Sequence, residues 1–215
     1  MQSIICTILG RSGTGKSASI RNLNPETTVI ISTDAKRLPF KGAEKFNVVS
    51  ISGKEPDKMF ALLSALKTNK KFNVVVIDAL TQFGETLMFE SNRRFRGFDR
   101  QNNYNDKIFE FFEMLKDLED KVVFIFSHPV IGETFEGSDT IVGKIDNKQR
   151  KGIIEERSTI LFMARTIKEG NGIRYVFETK SNGNTPSKAP IGMFEEDVID
   201  NDLNIVVDKI NEYYK

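Results

Sequence analysis

The segment Gly10-Arg11-Ser12-Gly13-Thr14-Gly15-Lys16-Ser17 constrains this chain more than any other, because it fills every fixed position of the pattern G-x-x-x-x-G-K-[ST]. It follows the apolar run from Ile4 to Leu9 directly. A strand ending in a glycine-rich turn lets backbone N–H groups wrap a chain of phosphates, and a helix opening behind the turn aims its positive end at the same charge. Within this pattern Lys16 is placed to reach the terminal phosphates and the Ser17 hydroxyl to ligate Mg²⁺. The plainer alternative, a glycine-rich turn with a chance Lys-Ser, gives no reason for a strand before it and a helix after it.

A Mg²⁺ held by one hydroxyl and phosphate oxygens also needs an acid at the end of a neighbouring buried strand. Val74-Val75-Val76-Ile77-Asp78 supplies one: four apolar residues and then a carboxylate, as expected of a central parallel strand ending at a ligand crevice. Asp78 is therefore the second expected metal ligand, although an aspartate there could also cap the following helix.

Around these motifs, short β-rich runs alternate with helical patterns, which predicts an α/β fold with a mainly parallel central sheet flanked by helices. Strands are expected at about 3–9, 27–32, 46–51, 72–77 and 121–127. Met59, Leu62, Leu63 and Leu66 recur at helical spacing, Ile108, Phe111, Phe112 and Leu115 mark a helix over about 104–118, and Leu203, Val206, Val207 and Ile210 mark one over about 202–214. Ser158 to Thr166 and Ile173 to Thr179 flank an Asn171-Gly172 pair and read as an antiparallel hairpin extending the sheet toward the C-terminus. Connections at about 90–103, 129–152 and 180–190 read as irregular. At 215 residues, 39% hydrophobic and 28% charged, the chain is expected to be one globular domain spanning 1–215.

Composition also narrows partners. The net charge of +1 provides no overall field toward nucleic acid or membrane, so any such contact must be local. The single Cys6 cannot form an internal disulfide and fits a reducing cytoplasm. No secretory signal opens the chain, and no run approaches the roughly 18 apolar residues of a membrane span, so a soluble protein with no membrane partner is expected.

Two further positions face the expected crevice. Ser127-His128-Pro129 ends the run from Lys121, so His128, the one histidine, could sense hydrolysis or position water; it could equally be satisfied by loop backbone. Asp34, after the run Val29 to Ser32, could activate water, or Ser32-Thr33-Asp34 could be a turn. Farther along, Arg93, Arg94, Phe95, Arg96, Phe98 and Arg100 interleave cations with aromatics, which suits gripping phosphates and stacking on exposed bases. The competing reading is a helix with Phe89, Phe95 and Phe98 in the core and arginines in water. A second basic stretch holds Lys144, Lys148, Arg150 and Lys151.

With these residues in place, the chain resembles the RecA-like P-loop ATPases, and more narrowly the compact phage-encoded ATP-binding proteins of single-strand annealing and recombination. The residues that carry the narrower likeness are Ser127-His128, the hairpin around Asn171-Gly172, and Thr179-Lys180 through to Ser187-Lys188-Ala189-Pro190-Ile191-Gly192-Met193-Phe194. The resemblance implies ATP and Mg²⁺ as cofactors, a homo-oligomer, single-stranded DNA as partner, a single-strand-binding protein as a further one, and the cytoplasm of a phage host. It also implies that Lys180 or Lys188 serves a neighbouring subunit's γ-phosphate, where a cation stabilises charge in the transition state. One departure stands out: such enzymes carry Glu after their second strand, where this chain has Asp34-Ala35-Lys36-Arg37, which points to weak hydrolysis. Other classes compatible with the motifs are a P-loop kinase of a small acceptor and an ATP-binding adaptor in phage DNA replication.

Overall fold

A computed structural model describes residues 2–51, 55–133, 139–144 and 152–214. Period-2 burial organises it. In β1 (Ile4–Leu9), Ile5 and Leu9 face one core while Cys6 and Ile8 face another, and β2 (Thr28–Ser32), β4 (Val74–Asp78) and β5 (Val122–Ser127) alternate in the same way. Strands buried on both faces need helices on both. Met59 and Leu63 of α1 (Asp57–Thr68), Phe83 and Leu87 of α2 (Leu80–Arg94), and Ile108, Phe111 and Leu115 of α3 (Gly97–Lys116) cover the first face. Ile20, Leu23, Met193, Phe194 and the Leu203, Val206 and Ile210 stripe of α5 (Leu203–Tyr214) cover the second.

With β3 (Asn47–Ser50), β8 (Ile160–Glu169), β9 (Gly172–Glu178) and β10 (Val198–Asp200), these strands form an eight-stranded sheet in the order β10-β9-β8-β1-β5-β4-β2-β3. The run from β8 to β3 is parallel, and β9 is antiparallel to both β8 and β10. The strand inserted between β1 and β4 is β5. The loop after β1 and the acid ending β4 thus lie across the end of β5, at one carboxyl edge.

Two connections expected to be irregular carry regular elements among their described residues. Residues 90–103 belong to α2 and α3, which reverse direction through Phe95-Arg96 and a left-handed Gly97 (φ 55°). Glu90 pairs with Arg93 (3.1 Å) and Arg94 (3.3 Å) along the last turn of α2, where cations also suit the helix C-terminus, and Ser91 Oγ meets Asn103 Oδ1 at 2.9 Å across the pair. These polar contacts lack the apolar periodicity that marks a helix in sequence. The 129–152 region contains a hairpin of β6 (Pro129–Glu133) and β7 (Asp139–Gly143), followed by α4 (Ile153–Arg157). Lys148, Arg150 and Lys151 lie outside the described residues.

Candidate functional site

The loop after β1 is shaped by close approach. Gly13 and Gly15 take positive φ (82° and 86°), a Cβ on Gly10 would stand 2.5 Å from Thr14 Oγ1, and one on Gly15 would stand 2.9 Å from Tyr175 Cδ1. The helix expected behind it is a 3-10 helix, Ser17–Asn22. It ends where Leu23 turns extended (φ −65°, ψ 153°), and Pro25 disfavours helical backbone at Asn24 as well.

Inside the loop, Lys16 Nζ donates to the carbonyls of Gly10 (2.5 Å) and Arg11 (3.1 Å), and Ser17 Oγ donates to Asp78 Oδ2 at 2.6 Å. Burial lowers the Lys16 pKa to about 8, against a smaller opposing pull from Asp78. Burial raises that of Asp78, only partly offset by the Ser17 hydrogen bond and the Lys16 charge. The His128 imidazole is pushed down by burial and by Lys16, and the His128 backbone N–H donates to Thr81 Oγ1 (2.9 Å), which in turn bonds Ser127 Oγ (3.0 Å). Burial pushes the Asp34 carboxyl up, but the hydrogen bonds and charge of Lys36 together outweigh it and hold it below its ordinary value.

Lys16, Ser17, Asp34, Asp78 and His128 all line one cleft of about 860 Å³. Beside the loop the same cleft is lined by residues that the sequence alone did not single out: Arg21, Tyr175 and Asn201. Arg21 Nη1 donates to the Asn201 carbonyl (2.9 Å), Asn201 Nδ2 reaches the Thr14 carbonyl (3.4 Å), and Asn201 Oδ1 is buried with no hydrogen-bond partner. Asn201 stands 187 residues beyond Thr14, so no local pattern could have joined them.

The other expected site residues lie elsewhere. Lys188 pairs through its backbone with Leu161 of β8 (2.8 Å) and donates its ammonium to the Glu155 carbonyl (2.6 Å), away from the cleft of its own chain; Lys180 bonds Asp197 (2.8 Å). Arg93, Arg94, Phe95, Arg96 and Arg100 gather at the α2–α3 reversal, and α2 puts roughly 22 Å of helix between Leu80, just past Asp78, and Arg94. Phe98 there is 88% exposed, with Phe89 and Phe95 also exposed, so the expectation of those rings in the core does not hold.

The donor set suits a magnesium nucleotide. A hydroxyl and a carboxylate already converge, a cation sits inside the loop, and the cleft of about 860 Å³ opens over all three. Against known families, the AAA domain model AAA_24 matches residues 2–191. The chain belongs to this AAA domain family. Among solved structures, this AAA domain is similar to the crystal structure of the RadB recombinase, with 12% identity, a TM-score of 0.52, and coverage of 84% of this chain and 82% of that one. At that identity the likeness concerns the fold, which is RecA-like. No curated protein matches the AAA domain chain. Among the described residues, no helix is long and apolar enough to cross a membrane.

Proposed function

We propose that this protein is a Mg²⁺-dependent ATPase that binds single-stranded DNA in its ATP-loaded state, in the service of phage recombination. The observation that carries the ATPase reading is the 2.6 Å contact between Ser17 and Asp78 at the mouth of a loop that already holds Lys16. Mg²⁺ held by Ser17 and Asp78 would neutralise charge on the phosphate oxygens. Gly10 to Ser17 wrap the phosphates with backbone N–H groups, and Lys16 exchanges its carbonyl partners for phosphate oxygens. Water attacks the γ-phosphorus, Asp34 takes its proton, and the bond to the β,γ-bridging oxygen breaks with its electron pair left on ADP. His128, beside Lys16 at the end of β5, senses the γ-phosphate, and Lys188 of a neighbouring copy supplies a further cation in a homo-oligomer.

The DNA reading is supported by the exposed rings of Phe89, Phe95 and Phe98 beside Arg93, Arg94, Arg96 and Arg100, a surface that suits stacked bases and a phosphate backbone. Lys148, Arg150 and Lys151 add cations on the same reading. The deciding experiment is ATP hydrolysis with Mg²⁺ at low salt, with and without single-stranded DNA, beside Lys16→Ala. DNA-stimulated turnover that vanishes in the variant is expected. Turnover that ignores DNA would remove the DNA part, and phosphorylation of a small acceptor would favour a kinase.

A further inference from the structure

We propose that Lys36 is a cap on Asp34 that the γ-phosphate removes, so that the chain distinguishes ATP from ADP with a cation of its own. This rests on reading the cleft as an ATP site. Lys36 Nζ lies 2.9 Å from Asp34 Oδ2, and the Lys36 backbone N–H donates to Asp34 Oδ1 at 3.1 Å, so one residue engages both carboxylate oxygens. Ala35 between them holds a left-handed φ of 55°, which folds the chain back so that Lys36 returns over Asp34. An Asp34 held this way has its outward oxygen covered by an ammonium rather than offered to water.

The cap is built to move. The Lys36 side chain is 81% exposed, and an ion pair at that exposure is weak. Its ammonium also belongs to the charge field of the phosphate loop: the Asp34 and Asp78 carboxylates both favour its charged form, and its charge in turn disfavours protonation of His128. Lys36 lines both the main cleft and a smaller pocket of about 260 Å³ that reaches Thr81, Gln82 and Glu85, so it stands where the two meet. A terminal phosphate beside Asp78 presents more negative charge than the single carboxylate of Asp34. The ammonium turns to it, and Asp34 Oδ2 opens toward the smaller pocket, from which a water can approach. ADP offers no such charge at that place and leaves the pair closed.

The test is a pair of affinities with Mg²⁺, for ADP and for a non-hydrolysable ATP analogue, in the wild type, Lys36→Met, Lys36→Arg and Asp34→Asn. Lys36→Met weakens the analogue about tenfold, the order expected for one charge-assisted contact, and leaves ADP unchanged; Lys36→Arg restores the preference. Asp34→Asn removes the competitor, so the analogue binds more tightly and ADP does not. Equal changes for both nucleotides in Lys36→Met, or no change in either, overturn the cap, as does an analogue that binds no more tightly in Asp34→Asn. A wild type that binds neither nucleotide overturns the ATP-site reading itself and the cap with it.

Discussion

Lys16 sits in the loop as a cation surrounded by carbonyls, and its chemistry follows from that. In the folded chain its pKa is about 8 against an ordinary 10.5, so between those values the unfolded chain holds more protons and stability rises with pH. Phosphates favour the ammonium, so binding has the opposite slope: nucleotide affinity falls as pH climbs through about 8, with proton uptake on binding. Calorimetry in buffers of different ionisation enthalpy measures that uptake, and Lys16→Met should abolish it while weakening binding by about 1.5–3 kcal/mol, the range for a hydrogen bond to a charged group. Asp78→Asn should bring nucleotide affinity in Mg²⁺ down to the value measured in EDTA, and an unchanged Mg²⁺ requirement would move the metal away from Ser17 and Asp78. These residues were legible in the sequence because the chemistry fixes their spacing: a loop of eight residues and an acid at the end of an apolar run leave little freedom. Asn201 was not legible, because its place beside Thr14 is made by β9 and β10 meeting the loop, a property of the sheet rather than of any neighbouring residues.

Elements whose apolar residues keep a regular period were equally readable. The two-faced strands β1, β2, β4 and β5 and the β8–β9 hairpin follow the sequence pattern closely, whereas the α2–α3 reversal does not, since Glu90, Ser91 and Asn103 hold it by polar contacts. Its surface rings settle what can be changed without harm. Replacing the 88%-exposed Phe98 by Ala removes no core packing, so the melting temperature should stay within about 1–2 °C, as for surface changes of under 0.5 kcal/mol. Affinity for single-stranded DNA should fall by about 1–3 kcal/mol if a base stacks there. Replacing Arg96 and Arg100 by Ala should flatten the salt dependence of DNA binding, each lost phosphate contact lowering the slope by about 0.7. An unaltered slope would turn attention to the basic stretch at Lys148, Arg150 and Lys151.

Across the whole molecule, the segment shared with the AAA domain family stops at residue 191, but the fold does not. Met193, Phe194, Ile199, Leu203, Val206 and Ile210 are buried in the core beneath β1 and β5, and Asp202 holds the start of α5 through the Asn204 N–H (2.9 Å) and accepts from Asn22 Nδ2 (2.5 Å). A chain cut after residue 191 keeps the entire phosphate loop and should nevertheless unfold or aggregate, because losing even one such side chain costs about 2–5 kcal/mol; a cooperative thermal transition at the wild-type temperature would contradict this.

One helix also links the distant ends of the molecule. The last residues of α3 bind Ser3, whose N–H meets the Lys116 carbonyl at 3.3 Å and whose hydroxyl meets the Leu115 carbonyl at 2.6 Å, while its first residues form the arginine-bearing reversal. At 20 residues it is a strut of about 30 Å. Ser3 leads into β1, and β1 ends at Leu9, directly before Gly10. A load taken up at the reversal is therefore delivered, as push or pull along a stiff member, to the foot of the very strand that carries the phosphate loop at its head.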